Sequence, residues 1–378
     1  MKRVVVVQPH VPAYRVAFYR HLVPELAARG IELTLAHGRP WGKDTSRGYD
    51  ERLPGAIELP QQTLRCGPRH LVRRRLGSLA HDCDALVLTQ SLHAMESYRP
   101  LLRSGGPPVG LWGHGATYTR PEPGPLRSAK RLLTNRADWF FAYTEAGARH
   151  VVAGGFPARR LTVLHNTIDT TSLVAAGAAV DDADRGALRR QYGLRQGRTG
   201  LYIGGLDAAK RIPFLLVAAR AVAAALPGFR LLVAGDGAQR TLVEEAERSG
   251  APVRYMGTAN DGDKARLGAV ADVLMVPGAV GLVAVDSFAL GTPLITTLRA
   301  AHGPEFSYLQ HGRNALIVDA PTPRPYAAHV TRLLEQPERL ARFSAACRAD
   351  AALYTVQEMA RRFADGVEGL VDVRCSVS

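Results

Sequence analysis

The chain has 378 residues, 46% hydrophobic and 22% charged, a balance typical of a globular protein with two domains of roughly 180 residues each. No apolar run reaches the roughly 18 residues that a membrane span needs, and none reads as a signal peptide, so we expect a cytoplasmic protein. With 48 basic and 34 acidic residues, the formal charge of +14 favours an anionic partner: a nucleotide diphosphate, a nucleic acid or an anionic lipid.

The spacing of the cysteines and the densest basic cluster limit the kinds of site and partner that the sequence allows. No CxxC or CxxH spacing suits a zinc or redox site, so free thiols are predicted for Cys66, Cys83, Cys347 and Cys375. No aromatic residues are interleaved with the basic cluster, which consists of Arg69, Arg73, Arg74 and Arg75. We interpret this cluster as a solvated helix face, with docking on an anionic membrane as the alternative. A nucleic-acid-binding function would rest on charge alone.

The first half of the chain alternates strand-like and helix-compatible segments. It opens with a β-branched run at 3–7, typical of a buried parallel strand, and a helix is predicted at about 15–29. Further strands are predicted at 31–36, 85–88, 109–112, 139–142 and 161–164. This alternation predicts right-handed βαβ units in a doubly wound sheet.

The same alternation restarts after a polar, charge-rich stretch at 181–197. Strands are predicted at 199–203, 229–234, 253–255, 273–276, 293–296 and 315–318. The restart places a domain boundary near 180–195. Tandem open α/β domains bind ligands beyond the carboxyl ends of their strands, so the ligand is expected between the two domains.

Two glycine-containing turns begin the second half. Gly204 and Gly205 end a strand just before Lys210 and Arg211, so backbone and cations are available to a diphosphate. A tight turn with a solvated Lys-Arg pair would give the same pattern. The second turn, Gly-Asp-Gly at 235–237, is fully explained as a strand-to-helix turn.

The stretch 276–293 carries the strongest local signal. A strand stops at Pro277, a small-residue loop follows to Gly281, and a helix is predicted from about Leu282 to Gly291. Backbone amides at such a helix start form an anion site that the helix dipole strengthens. Asp286, in the first or second turn, is able to accept hydrogen bonds from a ribose diol. An ordinary strand–loop–helix connection remains the alternative.

In the first half, loops at two strand ends carry polar side chains. His114 follows a strand and stands between two glycines, a position that favours exposure to a ligand over core packing. Tyr14 and Arg15, in the loop after the first strand, are candidates for the acceptor side of the crevice. A rigid turn with packing is the alternative for this second loop.

Together, these segments resemble the family 4 glycosyltransferases, retaining enzymes of the GT-B fold, over nearly the whole chain. The family's Gly-Arg-Leu…Lys, Val-Gly-Asp-Gly and Glu-Gly-Phe-Gly-Leu…Glu-Ala…Gly-Xaa-Pro elements have counterparts at 204–210, 234–237 and 278–293. The turn 165–169 and the loop 302–314 also match. The resemblance implies an α/β fold of two Rossmann-like, doubly wound parallel-sheet domains facing across a cleft. We assign an acceptor-binding domain to 1–185, a nucleotide-sugar domain to 186–355, and a helix returning to the first domain to 356–378.

The resemblance also implies roles for matching residues. Lys210 would bind the donor diphosphate, the amides of Leu282 and Val283 would cap its distal phosphate, and Asp286 would hold the ribose. The backbone around Met256 and Gly257 would read the base. His114 would contact the transferred sugar near its anomeric carbon. The implied donor-binding set is Gly204, Gly205, Lys210, Arg211, Met256, Gly257, Gly278, Gly281, Leu282, Val283 and Asp286.

Three departures from the family pattern concern this site. Gly205 stands where the family has an arginine, so Arg211 is a candidate substitute. Asp286 replaces the second glutamate of the family signature and is one methylene shorter. Gly278 replaces the first glutamate and offers no carboxylate, which makes Glu305 the candidate replacement and, with His114, the predicted catalytic pair.

The expected reaction is transfer of a hexose-like unit from UDP- or GDP-sugar with retention, to a glycan, lipid-linked or small-molecule acceptor. No metal or other cofactor is expected, because the pattern of the family that the chain resembles has no DxD metal motif and cations with helix amides would offset the diphosphate charge. A nucleotide-sugar epimerase of similar fold and a non-catalytic sugar-nucleotide-binding protein are the two alternatives.

Overall fold

The computed structural model describes residues 1–40, 55–66, 69–103, 105–118 and 123–373. These residues form two compact units, Met1–Asp169 with Thr355–Ser378, and Thr170–Tyr354. Each unit is described separately below.

The first unit is an α/β domain in which helices cover a parallel sheet. Its strands are β1 (Lys2–Gln8), β2 (Ile31–His37), β3 (Ile57–Glu58), β4 (Gln61–Cys66), β5 (Arg69–Arg74), β6 (Ala85–Thr89), β7 (Val109–Gly113), β8 (Trp139–Ala142) and β9 (Leu161–Val163). Its helices include α1 (Ala13–Ala27), α2 (Tyr98–Leu102), α3 (Gly124–Thr134) and α4 (Glu145–Ala153). Seven strands pair in parallel in the order β3-β2-β1-β6-β7-β8-β9, and β4 and β5 form a separate antiparallel hairpin.

The second unit has the strand order of a dinucleotide-binding fold. Its elements are α5 (Thr171–Ala178), α6 (Asp182–Tyr192), β10 (Thr199–Ile203), α7 (Ile212–Ala225), β11 (Arg230–Ala234), α8 (Arg240–Arg248), β12 (Val253–Gly257), α9 (Asp261–Gly268), β13 (Val273–Met275), α10 (Val283–Leu290), β14 (Leu294–Thr297), β15 (Ala315–Val318), α11 (Pro323–Leu334) and α12 (Pro337–Ala351). The parallel order β12-β11-β10-β13-β14-β15 reverses between β10 and β13, where such sheets bind ligands.

Each strand predicted from the sequence is present, with ends that agree to within two residues. The β-branched run of β1 is fully buried from Val4 to Val6, as a strand covered on both faces must be. The α/β class and the doubly wound parallel sheets are therefore confirmed.

The interpretation of the basic cluster as a helix face is wrong. Arg73 and Arg74 lie on strand β5, where successive side chains point to opposite faces. Arg73 is exposed, whereas Arg74 is buried and forms an ion pair of 2.5 Å with the buried Glu96. The alternating accessibility follows from the hairpin, whose turn residues lie outside the described ranges.

The division between the units falls at Asp169 and Thr170, earlier in the chain than the boundary at 185. The physical reason is α5, which packs on α9 and α10 of the second unit although it precedes the polar stretch at 181–197. The last helix, α13 (Val356–Asp372), belongs to the first unit and packs on α1, β8 and β9.

The core of the first unit explains the place of α13. Phe363 of this helix is stacked on Phe141 with ring centroids 4.6 Å apart, and it also meets Phe18 and Trp112 edge to face. All four rings are almost fully buried. Aromatic contacts of this kind add to the free energy gained by burying their area, so α13 is an integral part of the first unit.

Candidate functional site

A cavity of about 420 Å³ lies in the second unit, at the carboxyl ends of its strands. It lies where the strand order reverses between β10 and β13. It is lined by Ile203, Gly204, Gly205, Lys210, Ala234, Gly235, Asp236, Thr258, Ala259, Lys264, Gly281, Leu282, Val283 and Asp286.

The glycine-containing turns at 204–205 and 235–237 pack backbone against backbone and form one wall of this cavity. A side chain at Gly235 would collide with the carbonyl oxygen of Gly204, and both residues have φ near +146°. The N–H of Leu206 donates to the carbonyl of Asp236 at 2.8 Å, which ties the two turns together. Glycine is required here because other residues are strained at such φ angles and would separate the loops.

The loop 277–282 packs against the turn that carries Lys210. The N–H of Ala279 donates to the carbonyl of Ala209 at 2.9 Å, and Lys210 Nζ donates to the carbonyl of Ala279 at 2.5 Å. A Cβ at Gly278 would clash with the carbonyl of Lys210. No glutamate fits at position 278 in this arrangement, which explains the glycine found there.

His302 holds the same loop from its other side. Its Nδ1 accepts a hydrogen bond of 3.1 Å from the N–H of Val280, so the proton must lie on Nε2, which donates to the carbonyl of Thr297 at 2.7 Å. Burial lowers the pKa of His302, and the charge of Lys210 acts in the same direction. The ring is therefore neutral at physiological pH and serves as a brace between backbone segments.

Glu305 lies beside this loop, in a 3₁₀ turn at Pro304–Tyr308. It is 5% exposed, and its Oε2 is 3.9 Å from the position that a Cβ at Gly281 would occupy. The N–H of Gly303 donates to the carbonyl of Val280 at 2.7 Å and fixes the two segments together. A carboxylate therefore reaches the glycine loop from a different segment than in the family pattern.

The N-terminus of α10 faces the cavity with Leu282 and Val283. The first N–H groups of a helix have no acceptor within the helix and carry partial positive charge, which suits an anion. Asp286, 6% exposed, follows in the first turn. Lys264 Nζ lies 3.2 Å from its Oδ1.

The structure brings most of the predicted donor-binding residues to this cavity. Those that line it are Gly204, Gly205, Lys210, Gly281, Leu282, Val283 and Asp286. Thr258 and Ala259 line it in place of Met256 and Gly257, which end strand β12 just before the cavity. Gly278 supports the loop from behind.

Arg211 is not among the lining residues, so its proposed substitution for the missing arginine is not supported. Its guanidinium donates to Thr297 Oγ1 at 3.3 Å and lies 4.2 Å from the ring centroid of Phe214. Arg211 also caps α7 in a left-handed conformation, with φ of 57°. These contacts direct the side chain into the packing of the second unit.

Sequence reasoning missed two charged residues of the cavity. Asp236 lines it, although its Gly-Asp-Gly turn had a purely structural explanation. Lys264 lies on α9, whose start is marked by an Asn260–Asp263 capping box. That capping signal predicts the helix, but it gives no indication that Lys264 meets Asp286 of another helix.

His114 of the first unit is placed by a tight contact between glycines. A side chain at Gly115 would collide with the carbonyl of Gly147 near the start of α4, and Gly115 has φ of +75°. His114 is an exposed residue, and its ring centroid lies 4.4 Å from that of Tyr143. Desolvation by the surrounding protein lowers the pKa of His114, and the positive charges of Lys130 and Arg15 add to this. Its imidazole is therefore neutral near pH 7.

Arg15 is an internal residue in this structure, and its assignment to the acceptor side stays a prediction. It is 4% exposed, its Nη2 donates to Asn166 Oδ1 at 2.7 Å, and its Nη1 contacts Met359 Sδ at 3.2 Å. Its guanidinium thereby links α1 to the end of the first unit's sheet and to α13. Tyr14, in contrast, is exposed.

Comparison with known proteins indicates the family and the fold of the chain. The model of "Glycosyl transferases group 1" matches residues 197–336, and that of "Glycosyltransferase Family 4" matches residues 16–172. The D-inositol 3-phosphate glycosyltransferase of Thermobispora bispora is 28% identical over 308 residues, 77% of this chain and 67% of that protein. The phosphatidyl-myo-inositol mannosyltransferase of Mycobacterium tuberculosis is 32% identical over 108 residues, 27% of this chain and 29% of that protein.

Among solved structures, the Anabaena protein HepE in complex with UDP gives a TM-score of 0.67 at 16% identity, covering 97% of this chain and 100% of that one. The matches to three D-inositol 3-phosphate glycosyltransferases span 63% to 67% of the length of those relatives. The chain belongs to the family 4, or group 1, glycosyltransferases, and its fold is of the GT-B class.

The described residues lack two features, a cluster of metal ligands and a membrane-spanning helix. They contain no group of three or more His, Cys, Asp or Glu side chains arranged to hold a metal ion. Among them, no helix is both long and apolar enough to cross a bilayer. Cys83 and Cys347 are free thiols, and Cys347 Sγ donates to the carbonyl of Asn314 at 3.2 Å.

Proposed function

We propose that this protein transfers a sugar from a nucleoside diphosphate sugar, UDP- or GDP-linked, to a hydroxyl acceptor with retention of anomeric configuration. The observation that supports this is the cavity of the second unit, which combines a helix N-terminus, Lys210 and a buried carboxylate at Asp286. A nucleotide sugar offers groups complementary to each of them: a diphosphate for the first two and a ribose diol for the third.

The proposed binding follows from the chemistry of each group. The backbone N–H groups of Leu282 and Val283 donate to the distal phosphate, and Lys210 neutralises part of the diphosphate charge. Because these donors are already fixed before the ligand arrives, little reorganisation is needed when charge develops on the leaving diphosphate. We expect this chemistry to need no metal ion, and this independence of metal stays a prediction.

Glu305 is the proposed catalytic carboxylate of this unit. Its approach to Gly281 supports the role, because the glycine loop at 278–282 has no acidic side chain of its own. A carboxylate there would stabilise the positive charge that develops on the sugar in the transition state. The contact of His114 with the transferred sugar stays a prediction from the family resemblance.

The acceptor is proposed from the names of the relatives. Two sets of relatives are named for inositol-containing acceptors that carry phosphate, one free and one lipid-linked. The formal charge of +14 is compatible with a phosphorylated polyol or with an anionic membrane surface carrying the acceptor. Peripheral binding to such a surface would appear as co-sedimentation with phosphatidylglycerol vesicles but not with phosphatidylcholine vesicles.

Thermal-shift titration with UDP, GDP, ADP and dTDP tests the donor site. A ligand that binds only the folded state raises the melting temperature in proportion to the logarithm of its concentration. We expect UDP or GDP to give the largest shift, and Lys210→Met to reduce it. Absence of a shift with all four nucleotides would contradict the proposal.

Product analysis separates transfer from the alternatives. Incubation of the donor sugars with inositol phosphate and with lipid extracts, followed by NMR of the new anomeric proton, reports both transfer and stereochemistry. Epimer formed without acceptor would indicate an epimerase, and saturable donor binding without any transfer would indicate a binding protein. Full activity in EDTA is expected, and complete loss would contradict metal independence.

A further inference from the structure

A salt bridge between Lys264 and Asp286 lies inside the cavity of the second unit. The distance from Lys264 Nζ to Asp286 Oδ1 is 3.2 Å, and the two side chains are 19% and 9% exposed. Both residues line the cavity. The pair therefore lies where a bound nucleotide would contact it directly, and it is distinct from Lys210, which contacts the carbonyl of Ala279.

The position of Lys264 on its helix is unfavourable by itself. It stands in the first turns of α9, close to the positive end of the helix dipole, where acidic residues are preferred. Asp286 and the more exposed Asp261, 3.6 Å away, compensate this charge. The ammonium group of Lys264 points to a buried carboxylate, so its charge acts on that carboxylate.

Burial of Asp286 disfavours the ionised form of its carboxyl group. Burial raises the pKa of this carboxyl group, the charge of Lys264 and its hydrogen bond oppose this increase, and the charge of Asp261 adds to it. An ionised carboxylate offers about four acceptor positions, whereas a protonated one loses part of this capacity to its own O–H. With one position used by Lys264, the remainder suffice for the two hydroxyl groups of a ribose.

We propose that Lys264 is a positioning residue for the donor: it fixes the Asp286 carboxylate and keeps it an anion, so that Asp286 accepts hydrogen bonds from the ribose diol. This inference rests on the proposed function, because it assumes that a nucleoside diphosphate occupies the cavity. Lys264 thus makes recognition of the ribose part of the donor independent of pH near neutrality.

The test compares UDP binding, or GDP binding if that nucleotide is preferred, by wild type, Lys264→Met and Lys264→Arg between pH 5.5 and 8.5. We expect the affinity of the wild type to vary little with pH. Lys264→Met should bind about ten- to a hundredfold more weakly at the acid end and recover as pH rises, because loss of a charge-assisted hydrogen bond has this size. Lys264→Arg should restore most of the affinity.

The 2′-deoxy nucleotide provides a second readout, which a purely structural salt bridge would not change. The wild type should prefer the ribonucleotide about tenfold, and Lys264→Met should lose this preference at low pH. Arg266→Met is the matched control, since it removes an exposed positive charge from the same helix outside the cavity, and it should leave affinity and pH dependence unchanged. Lys264→Gln replaces Lys264→Met if the methionine variant does not fold.

The outcomes separate the inference from the function on which it rests. If the wild type binds none of the nucleotides, the proposed function fails. If the wild type binds a nucleotide but the Lys264 variants have the same affinity, pH dependence and ribose preference as the wild type, the inference alone is wrong. An Asp286→Asn background provides the last check, because adding Lys264→Met to it should cause no further loss of affinity.

Discussion

The carboxylate of Glu305 lies beside Gly281, with its Oε2 atom 3.9 Å from where a side chain on that glycine would begin. The two residues belong to different segments, a 3₁₀ turn after β14 and a loop before α10, and the N–H of Gly303 joins these segments by donating to the carbonyl of Val280. The glycine loop thus has an acidic neighbour even though Gly278 stands where the family has a glutamate.

Replacing Glu305 should abolish transfer without abolishing nucleotide binding. We expect Glu305→Gln to lower kcat about 10²- to 10³-fold, the size seen when one preorganised charge-stabilising group is removed. Steady-state kinetics with a titration of the nucleotide would measure both effects. The control is Glu335→Gln, an exposed acid after α11 in the same unit. A fully active Glu305→Ala enzyme would rule out this catalytic role.

Gly278 should tolerate no side chain. We expect Gly278→Ala to lower the free energy of unfolding by about 1–3 kcal/mol, as overpacking does, because its Cβ would meet the carbonyl of Lys210. Displacing that turn should also weaken nucleotide binding. Gly177→Ala, on helix α5 with open space around it, is the control and should be neutral or stabilising. Equal stability of the two variants would contradict the packing explanation.

His302 should make the stability of the second unit depend on pH. Its lowered pKa means that the unfolded chain binds a proton, near pH 6.5, that the folded ring does not bind, so stability is lost as pH falls below this value. At pH 7.5, His302→Asn should lose about 1–3 kcal/mol through an unmade hydrogen bond. Urea unfolding at several pH values should show this difference narrowing towards pH 5. A constant difference would indicate that the ring is not held neutral.

Arg15 should affect stability more than acceptor binding. Arg15→Lys loses the planar guanidinium that reaches Asn166 and Met359 together, and we expect a loss of about 1–3 kcal/mol. Arg20→Lys, on the exposed side of the same helix, is the control and should change stability little. An Arg15→Lys protein of normal stability but with a raised KM for the acceptor would support the assignment to the acceptor side.

Much of the fold could be predicted from local sequence. β-Branched and apolar runs such as Val4–Val7 identify buried strands because a strand covered on both faces must be apolar throughout. The glycines at 204 and 205 predicted a turn where backbone is open to a ligand, whereas the close backbone contacts of Gly235 and Gly278 became visible only in the structure. The hairpin β4–β5 was missed because its residues are mostly polar and lack the apolar alternation of a half-buried strand.

The sequence by itself determined the alternation of strands and helices, the glycine loops and the order of the family motifs, because each depends on residues within a few positions of one another. Only the tertiary structure decided that Glu305 reaches Gly281, that Lys264 pairs with Asp286 and that Arg15 is internal. These contacts join residues from separate elements, and their distances depend on strand order and loop packing, which no local pattern of residues encodes.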